Sequence, residues 1–350
     1  MPSYIKKHLI FKNSDVKTAL GKLDELGHDA ILFVIDDRHQ LVGSLTDGDI
    51  RRGLIKGRQT NDSVSLFIQK DPKFIRRKSI DIDEVIKLRK EGFKLIPIVD
   101  DNLKIFDILN FRIERSLIPA DVVIMAGGRG ERLRPLTDKI PKPLLKIGEK
   151  TIIEHNVHRL IKFGFQNFTI TLGYLADLIK KHLGDGKRRN ISIDYIIEDQ
   201  PLGTIGSVGD IKNIENDHLL ITNSDLLTDL DYEDFFLDCV SKNADMSVVS
   251  IPYSVHVPYA VIQSNDERIS SLVEKPTYTY YSNGGIYLVK KEFLNLIPKG
   301  ISYNATDLIE KFISKGLKVV SYSFTGYWLD IGRHEDYQKA QKEIYNLQDK

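Results

Sequence analysis

The chain has 350 residues and carries 50 Lys and Arg against 49 Asp and Glu, a net charge of +1. That balance excludes a broad basic field for gripping a nucleic-acid backbone, so no nucleic-acid partner is expected. A single cysteine, Cys239, excludes an internal disulfide and a cysteine-rich metal site and suits a reducing, cytoplasmic setting. The length suggests two or three domains, and 41% hydrophobic residues suffice for at least one full core. Met1 to Asn13 has no long apolar stretch, so no signal peptide is expected. No run approaches the roughly 20 apolar residues of a membrane span, so no membrane partner is expected either.

The first predicted elements come as a pair. Residues 30–45, AILFVIDDRHQLVGSL, and residues 94–109, KLIPIVDDNLKIFDIL, each read as strand, Asp-Asp turn, strand. Asp36-Asp37 and Asp100-Asp101 lie 64 residues apart. An amphipathic helix precedes each, with Val16, Leu20, Leu23 and Leu26 in the first and Val85, Ile86 and Leu88 in the second. A duplicated small α/β unit is predicted over 1–58 and 59–118. The segment Gly43-Ser44-Leu45-Thr46-Asp47-Gly48-Asp49 gives the pair a resemblance to CBS domains. The resemblance implies an adenine-nucleotide effector held through Thr46 and Asp49. In the second copy Thr46 corresponds to Asn110 and Asp49 to Ile113, so that copy's nucleotide motif is degenerate. Ligand sensing and scaffolding of a homo-oligomer are both open to such a pair.

From 119 to 350 the pattern alternates. Strands are predicted at Asp121 to Met125, Phe168 to Leu172, Ile191 to Ile197, Leu219 to Thr222, Met246 to Ile251, Gly285 to Val289 and Leu317 to Phe324. Helices are predicted over Thr151 to Phe163, Tyr174 to Leu183 and after Gly332. The fold class is therefore α/β, with a mixed, mainly parallel sheet covered by helices. His155 and His158 stand three apart on the first helix, with no third ligand near, and read as ordinary histidines.

Directly after the first of these strands comes AGGRGERLRPLTDKIPKPL, residues 126–144. Ala126, Gly127, Gly128 and Gly130 allow close approach of backbone N–H groups to phosphate oxygens. Arg129, Arg132, Arg134, Lys139 and Lys142 bring five positive charges against Glu131 and Asp138. Dense cations on a glycine loop suit a triphosphate, whose charge must be offset before an anionic nucleophile approaches. The dinucleotide fingerprint fails at Leu133, and the Walker pattern is absent.

This segment matches, without a gap, the pattern GGxGxRLxPLTxxxPKPL and so resembles the sugar-phosphate nucleotidyltransferase family. That resemblance implies a Rossmann-like domain that joins a nucleoside triphosphate to a sugar 1-phosphate with Mg²⁺, releasing pyrophosphate. By it, Arg132 holds the β- and γ-phosphates and Lys142 a phosphate at the reacting centre. Gln200, Leu202 and Gly203 of EDQPLGTIG lie at the base and ribose. Asp225, in LLITNSD, and Asp330, in WLDIG, hold the metal. Glu274 and Lys275 of LVEKP take the sugar and its phosphate, and Asn283 of SNGGIY adds a polar sugar contact. Ser224 stands where the family often has Gly. The order of CBS pair and transferase further resembles bacterial guanylyltransferases that activate glucosamine 1-phosphate for legionaminic acid synthesis. Mannose or heptose 1-phosphate, UTP or CTP, and a non-catalytic nucleotide-sensing regulator stand as alternatives.

Overall fold

The computed structural model describes residues 2–344. The chain divides into two compact units, Met1–Pro119 with Lys162–Gly164, and Ala120–Ile161 with Phe165–Lys350.

The first unit is built twice over. Leu9–Phe11 runs parallel to Leu32–Ile35, which pairs antiparallel with Leu41–Leu45. Ile75–Arg76 runs parallel to Leu95–Val99, which pairs antiparallel with Ile105–Asn110. The helices Val16–Leu26 and Ile82–Lys90 connect the parallel strands. The two turns repeat the same device. Asp36 Oδ1 accepts from the N–H groups of Arg38 and Gln40, and Asp100 Oδ1 from those of Asn102 and Lys104. These are side-chain-capped turns of the kind Asp favours. The strand Leu32–Ile35 is buried on both faces, which explains its unbroken apolar run. Leu32 and Val34 pack with Val16, Leu23 and Ile50, while Phe33 and Ile35 join Leu95, Val99 and Ile105 in a core shared by both halves.

The halves differ after the third strand. In the first, Thr46 caps the helix Asp47–Ile55: its N–H and hydroxyl both donate to Asp49 Oδ2, and Arg52 binds Asp49 Oδ1 at 2.5 Å. In the second, Asn110 leads into a turn with no helix, and its side chain and Arg112 both bind Asp29 Oδ2. Glu114 follows, and its Oε2 accepts from the Asn110 N–H. Burial raises its carboxyl from an ordinary 4.5 to about 7; that hydrogen bond opposes the rise and Asp107 adds to it. The folded state thus holds the proton more tightly than the unfolded chain. Stability from this group is full below about pH 4.5 and is lost as pH rises to about 7. Glu114→Gln is therefore expected to gain about 2 kcal/mol over wild type at pH 8 and almost nothing at pH 4, read from urea unfolding at both.

The second unit is a seven-stranded sheet in the order 192–197, 167–172, 120–126, 218–223, 277–290, 246–256, 319–323. All neighbours run parallel except 277–290, which is antiparallel to both of its partners. The interior strand Ala120–Ala126 is apolar almost throughout because both its faces are covered. On one face Val123, Ile221 and Tyr287 pack with Ile205, Leu308 and Phe312, the last two from the helix Ala305–Ser314. The helix Ile152–Lys162 buries Ile153, Val157 and Leu160. Among the described residues, no helix is long and apolar enough to cross a membrane.

Two strands run well past the stretches expected for them. Met246–His256 and Thr277–Lys290 stay paired out to His256 and Thr277, forming a two-stranded ribbon that leads to the hairpin Val261–Asn265 with Arg268–Val273. The ribbon carries exposed Tyr253, Tyr280 and Tyr281. Its pairing is irregular between Val248 and Ser250, opposite Gly284 and Gly285, so the ribbon departs from the sheet at a bulge.

Candidate active site

The glycine loop leaves the C-terminal end of the strand Ala120–Ala126, where open α/β sheets bind ligands. Two of its glycines are required by their surroundings. A side chain at Gly127 would lie 2.9 Å from Glu198 Oε2. Gly130 takes the left-handed region at φ 63°, and a Cβ there would lie 3.0 Å from Lys142 Cβ. Thr137 Oγ1 donates to Gly130 O and ties the far end of the loop back on itself. The cleft beneath has a volume of about 530 Å³ and is lined by Ala126, Gly127, Gly128 and Gly130 together with Arg129, Arg132 and Lys142. The other two loop cations are not part of its lining. Arg134 pairs with Asp138 at 3.4 Å, and Lys139 is exposed. Three of the five charges grouped by sequence therefore face the cleft.

The strand His218–Asn223 brings Asp225 to the same end of the sheet. Ser224 is buried, its N–H donates to Met125 O, and its carbonyl accepts from Asn156 Nδ2 at 3.2 Å. Asn156, a buried polar residue on the helix Ile152–Lys162, thereby fixes the turn that presents Asp225; nothing in its sequence context singled it out. Asp330 arrives from the far end of the chain because Trp328–Asp330 pairs antiparallel with Leu226–Thr228, placing Asp330 opposite Leu226. The Ile331 N–H closes the junction on Asp225 O at 3.0 Å.

Lys142 Nζ lies 2.5 Å from Asp225 Oδ2 and 3.9 Å from Asp330 Oδ1. Burial raises the Asp330 carboxyl above the usual carboxylate range and Asp225 adds to the rise, while Lys142 and Arg132 oppose it. Asp225 Oδ1 and Asp330 Oδ1 are buried without a hydrogen-bond partner. Two carboxylate oxygens with unused lone pairs fit a hard divalent cation, and Mg²⁺ in particular needs few protein carboxylates beside phosphate oxygens and water. Among the described residues, no set of three or more His, Cys, Asp or Glu is placed to hold a metal.

The residues expected at the base and ribose separate. Gly203 lines the cleft at φ 76°, as do Pro201 and Thr204. Gln200 is exposed outside the lining, and Leu202 is buried with its N–H directed at Glu198 Oε2, 3.4 Å away. Glu198 itself lines the cleft, half-buried, at the end of the strand Ser192–Ile197, and its N–H continues the pairing to Leu172 O. The sequence reading passed over it; its signal was an acidic residue directly after a strand and before a Pro-Leu-Gly turn. Glu274 and Lys275 are exposed where the hairpin rejoins the ribbon, outside the cleft lining. Asn283 stands at the ribbon's root, accepting from the Gly285 N–H at 2.9 Å; Gly285 in turn abuts Asn223 of the cleft. Thr46 lines a separate cleft in the first unit, of about 560 Å³, with His28, Asp47, Gly48, Phe93 and Lys94. Asp49 is outside that lining and braces Thr46.

Comparison with known proteins places this geometry. Residues 121–346 match the family model described as nucleotidyl transferase. A D-glycero-α-D-manno-heptose 1-phosphate guanylyltransferase of Aneurinibacillus thermoaerophilus is 29% identical over 64% of this chain and 98% of that enzyme. A UTP–glucose-1-phosphate uridylyltransferase of Synechocystis is 30% identical and a mannose-1-phosphate guanylyltransferase of Mycobacterium tuberculosis 26% identical. Those matches span 65% and 64% of the respective proteins. The crystal structure of HddC from Yersinia pseudotuberculosis superposes with a TM-score of 0.52 at 30% identity, covering 64% of this chain and 99% of HddC. The family model covers more than half of the chain, so the protein belongs to the nucleotidyl transferase family and nucleotidyl transfer is its class of reaction.

Proposed function

We propose that the protein is a sugar-1-phosphate guanylyltransferase, and Glu198 is the observation that carries the choice of base. A carboxylate offers only acceptors. Guanine alone among the common bases presents two adjacent donors, N1–H and the N2 amino group, which one carboxylate can accept together. Uracil would set its carbonyl oxygens against the carboxylate. Cytosine and adenine would each set a ring-nitrogen lone pair there beside a single amino donor. A buried donor–acceptor mismatch is rejected strongly. The guanylyltransferases and the GMP-PN complex of HddC among the similar proteins agree with this reading. Glu198→Gln offers one donor and one acceptor and is expected to lower kcat/KM for GTP by about 50-fold while raising that for UTP. Pyrophosphate release with both nucleotides decides it; an unchanged GTP to UTP ratio would move base reading elsewhere.

The reaction is in-line attack of a sugar-phosphate oxygen on the α-phosphorus. One P–O bond forms there as the bond to the β-phosphate oxygen breaks, and pyrophosphate departs. A sugar phosphate has its second pKa at about 6, so no general base is required. Positioning and charge neutralisation carry the step. The loop N–H groups, Arg132 and Lys142 offset the triphosphate charge. Asp225 and Asp330 would hold Mg²⁺, which when bound supplies further neutralisation of the phosphates. Glucosamine 1-phosphate is the proposed sugar, in legionaminic acid synthesis, a reading supported by the order of the two units. A panel of sugar 1-phosphates with GTP tests it.

For the first unit we propose a CBS-type effector cleft for an adenine nucleotide. Phe93 offers a stacking face, and Lys94, His28 and the N–H groups that begin the helix Asp47–Ile55 offer anion contacts. Asp49→Ala removes the brace on Thr46 and is expected to weaken ATP or AMP binding about tenfold by calorimetry; unchanged binding would place the effector elsewhere.

A further inference from the structure

The contact between Lys142 and the two aspartates does more than neutralise charge. Lys142 is 9% exposed, and its ammonium lies against both carboxylates that the preceding proposal assigns to the metal. The one ammonium meets two carboxylates, and Oδ1 of each is left without a hydrogen bond, that of Asp330 lying 3.9 Å from the ammonium. A divalent cation completing both oxygens would stand within a few ångströms of the ammonium, where like charges in a partly buried site repel strongly.

We infer that Lys142 and a divalent cation are alternative occupants of the Asp225–Asp330 carboxylate pair, and that loading the cation drives the Lys142 ammonium off Asp225 toward the glycine loop. Pro141 and Pro143 flank Lys142 and restrict the backbone there, so the displacement falls on the four-carbon side chain. Room lies on the loop side. Gly130 borders the Lys142 stem, where a Cβ would come within 3.0 Å of Lys142 Cβ and 3.6 Å of its Cδ; glycine leaves that space open. The loop lies in that direction, with its N–H groups and Arg132. Metal and phosphate therefore share one side chain. A phosphate that draws Lys142 away frees the carboxylates for the cation, and by reciprocity the cation frees Lys142 for the phosphate. Affinity for a divalent cation alone is correspondingly held down.

Mn²⁺ serves as the probe, with free Mn²⁺ read by electron paramagnetic resonance in titrations of the full chain without nucleotide. Lys142→Gln and Lys142→Met are expected to bind Mn²⁺ at least about tenfold more tightly than wild type, because a like charge has been removed from the site. Lys142→Arg keeps the charge and is expected to stay within about threefold of wild type. Adding Asp225→Asn to Lys142→Gln should abolish the gain. Equal or weaker Mn²⁺ binding by Lys142→Gln overturns the competition. Should the neutral variants fold only with Mn²⁺, recovery of their melting transition by Mn²⁺ supports it, and failure to recover overturns it. The inference rests on Asp225 and Asp330 being the metal pair. If no form binds Mn²⁺ and wild-type turnover survives a chelator, that assignment falls and the inference with it. Turnover that requires Mn²⁺, with no tightening in Lys142→Gln, removes the inference alone.

Discussion

Asp225→Asn is expected to lower kcat/KM about a thousandfold, with the melting temperature within a few degrees of wild type. Asn keeps the shape and can still accept from Lys142, so local packing survives. What disappears is one of two negative charges at the proposed metal site, beside two carboxylate oxygens that lack hydrogen bonds. Asp330 is the more exposed partner, at 42% against 23% for the side chains, and its Asn variant should lose less. Pyrophosphate release over a range of Mg²⁺ concentrations, with a melting curve alongside, checks both. Turnover within tenfold of wild type would remove Asp225 from the machinery.

Gly203→Ala is expected to reduce both stability and nucleotide binding. Gly203 sits at φ 76°, and a Cβ would lie 2.7 Å from the backbone oxygen of Tyr303 and 3.0 Å from Asn304 Oδ1. Neither neighbour is free to yield: Tyr303 O accepts from the Ile205 N–H, and Asn304 opens the helix Ala305–Ser314. Strained backbone together with a backbone clash is worth about 3 kcal/mol, or roughly 10 °C in melting temperature. Because Gly203 lines the cleft, KM for the nucleoside triphosphate should rise as well. Thermal melting and a nucleotide titration decide the matter; a melting temperature unchanged by Ala would show that the 201–204 turn relaxes freely.

What could be read from sequence was what is local in the chain. The glycine loop packs its glycines and cations into 18 residues, Gly127 to Leu144, and follows its strand directly. The repeated Asp-Asp turns use the first Asp side chain to cap the N–H groups two and four residues on, so a match in sequence becomes a match in hydrogen bonds. The sheet's inner strands Ala120–Ala126 and His218–Asn223 were legible because an element buried on both faces writes an unbroken apolar run.

Other features depend on packing between distant elements. Asp330 meets Asp225 only through the register that sets it opposite Leu226, and no spacing in the chain encodes that pairing; it came from resemblance alone. Asn156 supports Ser224 across 68 residues. Glu198 and Lys142 face the cleft while Gln200 and Lys139, equally polar and nearby in sequence, do not. The same limit hid the ribbon: no apolar run marks Tyr278 to Tyr281, because neither face of an exposed ribbon is packed in a core. The sequence by itself determined the α/β class, the glycine loop and the doubled first unit, each dictated by neighbouring residues. Only the tertiary structure decided which charges converge, because a side chain's direction into a shared cleft is set by strand ends and registers far from it in the chain.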